Sequence, residues 1–323
     1  MKNALRQIRN YPSAVFGLFI ILFLVALAIY AVVTIPYSEA IRLWRGGEEV
    51  WAEYPKNAQP IWADWLTSKA LPRSVILNTA DGTATKEPNG EGNGVTLTFP
   101  IDWQYDGFPQ DIVLFMTAEF AEKNPHASIR WVTPEGREIR MGDLPVRSAE
   151  TYRPVYEDRL KRRLKGVSPE IGLFLAAESE EQVPLKGTYQ MVVDVYYFEP
   201  TSDVEAKLVV HGQVHGLAGT DHRRRDLTVA LLWGTPVALA FGLLAALGTT
   251  VTTMIIAAIG VWFGGWVDSL IQRVTEVNMI LPFLPILIMI GTLYTRSIWV
   301  ILGFVILLSI FGSGIKTYRA VFM

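Results

Sequence analysis

Residues 219–234 read GTDHRRRDLTVALLWG, and they mark the point at which the character of the chain changes. The stretch holds three consecutive arginines and its charge ends at Asp226, after which no charged residue follows until Asp268. A charged segment therefore meets a long apolar segment here. The junction separates a part of the chain suited to water from a part suited to a lipid bilayer.

Charge is distributed very unevenly along the 323 residues. Of the 29 basic and 31 acidic residues, 60 in all, three precede position 10, six follow Asp226, and 51 lie between Glu39 and Asp226. This pattern predicts one charged domain between apolar flanks. The chain has no cysteine, which excludes disulfide bonds and thiolate metal sites.

Residues 14–33 form the first long apolar segment, and a run of that length is sufficient to cross a hydrocarbon core of about 30 Å. We expect an uncleaved spanning helix here; the alternative is a cleaved signal peptide, whose apolar core is shorter, about 7 to 15 residues. Further apolar segments predict spans at 237–263, 277–295 and 297–315, with an interfacial helix ahead of the first of these. The chain is therefore predicted to be an α-helical polytopic membrane protein with four spans.

Basic residues in the short loops set the predicted orientation. With one span in the uncharged run 227–267, six basic residues fall on one side and only Arg296 on the other, whereas a hairpin of two spans would give four against three. We therefore expect a cytoplasmic N-terminus and an extracytoplasmic segment from residue 37 to about 225. The six basic residues are Lys2, Arg6, Arg9, Arg273, Lys316 and Arg319.

The region between the first two expected spans alternates short β-rich runs with turn residues. The runs that fit strand signals are 95–103, 111–120, 128–141, 187–200 and 204–216. They predict a β-rich, sandwich-like extracytoplasmic insert between spans one and two. Turn and helix signals add three further expectations, namely a hairpin turn at 134–136, a flexible surface loop at 80–94 and one helix at 153–165.

Three polar groups in this insert could suggest a separate chemistry. The basic run 159–166 is better explained as a solvated helix face than as a nucleic-acid site. Three histidines lack the companion ligands of a recognisable metal spacing, and a glutamate cluster fits a turn better than acid–base catalysis. Because no nucleophile, phosphate or zinc motif is found, we expect no catalytic residue, no metal, no cofactor and no nucleic-acid partner. The histidines are His211, His215 and His222, and the glutamates are Glu178, Glu180 and Glu181.

The stretch 219–234 resembles the signature of binding-protein-dependent ABC importer permeases, specifically the second membrane subunit of the dipeptide, oligopeptide and nickel type. That signature reads Gly-Thr-Asp, then Gly-Arg-Asp, then a later glycine. Residues 264–277 resemble the family's cytoplasmic turn, and Pro282 resembles the proline that opens the third span. The matching positions are Gly219, Thr220, Asp221, Arg225, Asp226 and Gly234 at the external membrane face; Gly264, Gly265, Asp268, Arg273 and Glu276 in the cytoplasmic turn; and Lys316 and Arg319 at the cytoplasmic exit toward an ATPase-docking loop.

Three features depart from the family pattern. Arg224 stands where the family has a glycine, and Val229 and Ala230 replace a Ser-Arg pair, so we expect the turn and the polar face of the helix to differ. Asp221 is expected to cap an interfacial helix that Arg225 and Asp226 begin. The sequence stops at Met323, where the resemblance places a Glu-Ala-Ala loop and two more spans, which implies four spans of an expected six and an incomplete permease.

The resemblance implies one half of the translocation pathway of an ATP-driven importer in a prokaryotic cytoplasmic (inner) membrane, for peptides or similar small solutes. It implies a second permease subunit, two ATP-binding subunits and an external solute-binding protein as partners besides the lipid bilayer, with ATP hydrolysis outside this chain. The alternative is a membrane-anchored extracytoplasmic sensor or binding module without transport activity. The expected divisions are 1–36, the N-terminus and first span; 37–218, the β-rich domain; 219–236, the signature and interfacial helix; and 237–323, spans two to four.

Overall fold

The computed structural model describes residues 11–47, 49–67, 69–89, 93–176 and 183–323. The chain divides into two compact units. The helical unit comprises Met1–Pro36 and Leu232–Met323, and the β unit comprises Tyr37–Leu231. Several residues named above lie outside the described residues, namely Lys2, Arg6, Arg9, Glu178, Glu180 and Glu181.

Two long helices dominate the helical unit. Helix α1, Pro12–Thr34, has 23 residues and carries no charge, so it is long and apolar enough to cross a bilayer. Helix α5, Leu227–Phe263, has 37 residues and continues through Pro236, although a proline removes one main-chain hydrogen bond. The expected interfacial helix is therefore not separated from the span at 237. Gly234 and Pro236 both lie in this segment without ending the helix.

The described part of this unit also contains two bent helix pairs. Helix α6, Gly265–Ile280, meets α7, Phe283–Leu293, at an angle of 75°. Helix α8, Ile298–Ile310, meets α9, Ser313–Phe322, at 51°. Within the described residues, α1 and α5 are long and apolar enough to span a membrane as single helices, and counting each bent pair as one span raises the number to four.

The two bent helix pairs differ from the two straight spanning helices expected at 277–295 and 297–315. Helix α6 already occupies most of the segment expected as a cytoplasmic turn, because no proline interrupts it between Gly265 and Ile280. The break follows at Leu281 and Pro282, both of which have extended main-chain angles. Pro282 thus lies at the start of α7, in the middle of the bent pair.

Two antiparallel sheets form the body of the β unit. Within the described residues, one sheet has the strand order β1-β9-β4-β7 and the other the order β2-β3-β8-β5-β6. The strands are β1 Val75–Asn78, β2 Thr85–Pro88, β3 Gly94–Trp103, β4 Asp111–Glu119, β5 His126–Val132, β6 Glu138–Pro145, β7 Glu150–Tyr152, β8 Gly187–Tyr196 and β9 Asp203–His211. The expected β-rich region is therefore present.

Both sheets contribute to one hydrophobic core. On β3, Phe99 and Ile101 are buried while Pro100 between them is exposed, which is the period of two that a half-buried strand requires. Leu114 on β4, in the other sheet, is buried in the same core. The fully buried Trp131 ring is part of this core, and its indole N–H donates to the Leu173 carbonyl O over 3.0 Å.

The described part of the β unit also contains short elements: helices α2, Tyr37–Arg45, α3, Asp158–Arg163, and α4, Pro169–Gly172, and the 3₁₀ helices Ile61–Leu66 and Pro154–Tyr156. The single helix expected at 153–165 is therefore interrupted. Glu157 has extended main-chain angles, which separate the second 3₁₀ helix from α3. Gly166, with φ of 85°, follows the helical segment as expected.

One of the turns predicted from the sequence is present in the β unit, and one predicted loop is replaced in part by a strand. Gly136, with φ of 80°, lies in the turn between β5 and β6, which confirms the hairpin expected at 134–136. The surface loop expected at 80–94 is instead partly a strand, because β2 pairs with β3. Lys86 on β2 also forms ion pairs with Asp203 Oδ1 at 2.7 Å and Glu205 Oε1 at 2.8 Å, a long-range contact that turn signals cannot reveal.

Candidate functional site

The signature residues form a tight loop that leads into α5, and the Asp221 carboxylate organises this loop. Its Oδ1 accepts hydrogen bonds from the main-chain N–H groups of Arg223 at 2.8 Å and Arg225 at 2.9 Å. Its Oδ2 accepts one from Arg225 Nε at 2.8 Å. Burial opposes ionisation, but the hydrogen bonds from Arg225 and the main chain outweigh it and hold the pKa of Asp221 below its usual range. Asp221 and Arg225 therefore stabilise the loop from within.

Asp226, and not Asp221, caps helix α5. Its Oδ1 accepts a hydrogen bond from the Thr228 N–H at 2.7 Å, one residue after the helix begins at Leu227. An N-cap side chain bonds at this position and places negative charge at the positive end of the helix. The prediction that Asp221 caps the helix was wrong, because its oxygens are used inside the loop.

Gly219 and Thr220 attach the loop to residues 55–58. Thr220 Oγ1 donates to the Pro55 carbonyl O at 2.6 Å and accepts from the Ala58 N–H at 2.9 Å. Gly219 has φ of 76°, and a Cβ added to it would lie 2.3 Å from the Ala58 carbonyl O. The first two signature residues are therefore required by close packing within the β unit.

Arg224 is the most buried of the three consecutive arginines, with 3% of its surface exposed. Its guanidinium donates to the Tyr54 carbonyl O at 2.7 Å and to His211 Nε2 at 3.1 Å, and pairs with Asp111 Oδ2 at 3.0 Å. Its φ of 66° lies in the left-handed region that a glycine adopts without cost. The turn therefore keeps the conformation suited to the family's glycine, and the arginine side chain adds an anchor. The sequence did not predict this anchoring role. The only indication of it was that Arg224 departs from the glycine of the family pattern.

His211, at the end of β9, is fully buried beside Arg224. An arginine nitrogen can only donate, so His211 Nε2 accepts and the imidazole proton lies on Nδ1. Burial, with the charges of Arg224 and Arg153, lowers the pKa of His211 to about 3. The ring is therefore neutral at ordinary pH and faces a cation.

The other two histidines lie in different surroundings. The His215 ring packs against Tyr54, with ring centroids 4.3 Å apart, and His222 is exposed. Among the described residues no three His, Asp or Glu side chains are arranged to hold a metal ion. The three histidines are therefore not brought together as a ligand set.

Acidification should selectively destabilise the β unit through His211. In the unfolded chain its pKa is near 6.5, against about 3 in the folded state, so below pH 6.5 the unfolded state binds a proton that the folded state excludes. Stability should thus fall by up to about 1.4 kcal/mol per pH unit between these values. Chemical denaturation at about pH 7.5 and about pH 5 should show this loss in the wild type and a smaller loss in His211→Gln. Equal losses in the two proteins would contradict the assignment.

Gly234 lies within helix α5, away from the loop. Apart from its chain neighbours and the adjacent main chain of its own helix, no atom of the described chain lies within 4 Å of a Cβ added at this position. Packing inside the chain therefore does not require a glycine there, in contrast to Gly219.

A second set of predicted residues meets in the helical unit. Gly264 and Gly265 form the turn between α5 and α6, and both have φ of 54°. Asp268, in the first turn of α6, forms a two-point ion pair with Arg319 of α9: Arg319 Nε lies 2.9 Å from Oδ1 and Nη2 lies 2.7 Å from Oδ2. The structure therefore connects two motif residues that are 51 positions apart.

The remaining predicted residues of this unit lie on its surface. Arg273 and Glu276 are both exposed on α6 and form no ion pair with one another in the described part of the chain. Lys316 is exposed on α9. Arg273, Glu276 and Lys316 therefore take no part in the ion pair between Asp268 and Arg319.

Two polar side chains stabilise the bend between α8 and α9. Asn278 Nδ2 donates to the Leu308 carbonyl O at 2.7 Å, and Thr253 Oγ1 donates to the Ile310 carbonyl O at 3.1 Å. Main-chain carbonyls at a helix end need such partners where water is excluded. Asn278 and Thr253 thus have a structural role in this unit.

The Asp268–Arg319 pair should stabilise the contact between α6 and α9, because it forms charge-assisted hydrogen bonds at two points. Asp268→Ala and Arg319→Ala should each lower the thermal unfolding temperature of the chain in detergent. The exchanged pair, Asp268→Arg with Arg319→Asp, should recover part of the loss, and Arg273→Ala serves as the control. A double-mutant cycle with no coupling energy would sink the prediction.

The comparisons with known proteins agree with the resemblance. Residues 1–58 match the family described as the N-terminal TM domain of oligopeptide transport permease C. The peptidoglycan transport system permease protein YejE of Agrobacterium fabrum (strain C58) is 34% identical over 94 residues, which are 29% of this chain and 25% of that protein. The inner membrane ABC transporter permease protein YejE of Escherichia coli (strain K12) is 30% identical over 89 residues, 28% of this chain and 26% of that protein.

One solved structure, of TmCBM61 in complex with beta-1,4-galactotriose, also matches. It is 7% identical, with coverage of 50% of this chain and 96% of that chain, but the TM-score of 0.20 is too low to support a shared fold or ligand. The chain spans about a quarter of the length of the two curated permeases that it matches. Over the matched parts, the resemblance to the permease subunits of peptide-type ABC importers is confirmed.

Proposed function

We propose that this chain acts as a transmembrane permease subunit of an ATP-driven, binding-protein-dependent importer and forms half of its translocation pathway. The observation that carries the proposal is the match to the two YejE permeases and to the N-terminal permease domain. The long apolar helices α1 and α5 support it, since a permease must cross the bilayer repeatedly. A permease is a channel component and not an enzyme, so ATP hydrolysis belongs to separate subunits.

The proposed topology has four spans, namely α1, α5 and the two bent pairs. The N-terminus and the Asp268–Arg319 pair lie on the cytoplasmic side, and residues 37 to about 225 lie outside. The loop charges support this orientation, because six basic residues then lie inside and one outside. The β unit is proposed to be an extracytoplasmic sandwich, since both of its sheets bury side chains in one core.

The proposed partners are a second permease subunit, two ATP-binding subunits, an external solute-binding protein and the lipid bilayer. The proposed solutes are peptides or similar small molecules. The Agrobacterium relative is named as a peptidoglycan transport system permease, so we include material related to peptidoglycan among the proposed solutes. The β unit, on the external face, is proposed to receive the solute-binding protein or to brace the second permease.

Uptake by living cells tests the proposal. Cells with an in-frame deletion of the coding gene would be grown with a defined peptide mixture, and mass spectrometry would measure its depletion from the medium. We expect one or more peptides to remain unconsumed by the deletion strain and consumption to return when the gene is restored. Unchanged depletion of every peptide, including peptidoglycan-derived ones, would contradict a role in peptide import.

A further inference from the structure

A patch of large apolar side chains lies exposed on the β unit. It is formed by exposed apolar residues of the 3₁₀ helix Ile61–Leu66 and by Leu217, and we call it the Trp65 patch. Trp65 is 88% exposed, Leu66 78% and Leu217 75%. A cluster of such residues on a soluble surface marks a contact with another apolar phase. The members are Ile61, Trp62, Trp65, Leu66 and Leu217.

The two segments of the patch are held together by hydrogen bonds. The Ile61 N–H donates to the Gly216 carbonyl O at 3.0 Å, and Trp62 Nε1 donates to the Leu217 carbonyl O at 2.8 Å. Residues three apart in a 3₁₀ helix lie on the same face, so Trp62 and Trp65 are directed to one side. These hydrogen bonds therefore hold the two segments of the patch in a defined arrangement.

The patch lies beside the first turn of α5. A Cβ added to Gly216, the neighbour of Leu217, would lie 3.5 Å from Thr228 Oγ1 and 3.6 Å from Asp226 Oδ1. Thr228 is in the first turn of α5, and Asp226 caps that helix. The Trp65 patch is therefore positioned where the chain enters its longest uncharged helix.

We propose that the Trp65 patch inserts into the interfacial layer of the bilayer that α5 crosses. Tryptophan is enriched at this layer, and apolar faces lying in it bury by about 5–10 Å. The Trp62 indole N–H is already bonded to Leu217, which reduces the cost of placing that ring against lipid. The continuity of the patch with the start of α5 favours lipid over a soluble partner. The inference rests on the membrane-spanning role of α5 proposed above, but it does not require transport.

Single cysteines provide the test, because the natural chain has none. The variants Leu66→Cys and Leu217→Cys of the full chain would be labelled with an environment-sensitive fluorophore and reconstituted in phospholipid nanodiscs. Quenching by lipid-attached nitroxides and by aqueous iodide would then be compared. Phe198→Cys is the control, since Phe198 is 60% exposed and precedes β9, whereas the patch lies near the residues that follow β9.

We expect nitroxides near the lipid headgroup to quench the labels at Leu66 and Leu217, and iodide to quench them severalfold less than the label at Phe198. Iodide quenching equal to that at Phe198 would overturn the inference. Shielding from both quenchers would also overturn it, because a protein partner would then cover the patch. Leu244→Cys in α5 reports insertion of that helix, and a label there without lipid quenching would overturn the proposed topology as well.

Discussion

Replacing Arg224 with methionine is expected to lower the free energy of unfolding of the β unit by about 3–5 kcal/mol. Arg224 is buried and lies 3.0 Å from Asp111 Oδ2, so the substitution leaves that largely buried carboxylate with only the more distant Arg153 Nη1, at 4.0 Å, as a counter-charge. The Tyr54 carbonyl O and His211 Nε2 also lose their donor. Methionine occupies a similar volume, so the loss is one of charge and hydrogen bonding more than of packing.

The measurement is thermal unfolding of the full chain in detergent, followed by tryptophan fluorescence, to which the buried Trp103 and Trp131 of the β unit contribute. For a domain of this size, the expected loss corresponds to a decrease of about 6–20 °C in the unfolding temperature. Arg223→Met is the matched control, because Arg223 is exposed in the same run of arginines and should change stability by less than about 0.5 kcal/mol. Equal unfolding temperatures for the two variants would contradict the role of Arg224.

Replacing Gly219 with alanine should cost at least about 3 kcal/mol and prevent normal assembly of the signature loop. Its φ of 76° is strained for any residue with a Cβ, and that Cβ would lie 2.3 Å from the Ala58 carbonyl O. Relief would require movement of the main chain at Ala58, which is also bonded to Thr220. The unfavourable main-chain angle and the steric overlap with Ala58 therefore both destabilise the alanine variant.

Gly234→Ala is the matched comparison for Gly219→Ala, because Gly234 is the other signature glycine and lies inside a helix with open space around it. Gly234→Ala should leave the stability of the chain unchanged or raise it by up to about 1 kcal/mol. Both variants would be measured by the same thermal unfolding and by protease resistance of the β unit. If Gly219→Ala unfolds at the wild-type temperature, the close approach of Gly219 to Ala58 is not a real constraint.

The sequence predicted those parts of the protein that depend on local pattern. The first span, the β-rich insert and the turn at Gly136 follow from apolar length, strand periodicity and turn residues, and the structure contains helices, strands and a turn there. Motif spacing also selected Asp268 and Arg319. It could not predict that they bind each other, because their pairing depends on how α6 and α9 meet.

The sequence did not predict contacts between residues that are far apart in the chain. The partners of Arg224 come from Tyr54 and Asp111, far away in the chain, so the residue was interpreted only as a departure from the family. Residue type alone predicts Asp221 as the helix cap, whereas the loop turns its carboxylate toward Arg225 and leaves the cap to Asp226. Spacing alone does not distinguish two aspartates five residues apart.

Isolation of the native complex tests most directly whether this chain works as a permease subunit with separate ATP-binding subunits. The tagged chain would be purified from its own membranes in mild detergent, its partners identified by mass spectrometry, and the ATPase activity of the preparation measured. We predict recovery of an ABC ATP-binding subunit and a second permease, together with ATPase activity, none of which a tagged unrelated membrane protein should recover. Recovery of the chain with no ATP-binding subunit and no ATPase activity would contradict the claim and favour the anchored sensor or binding module.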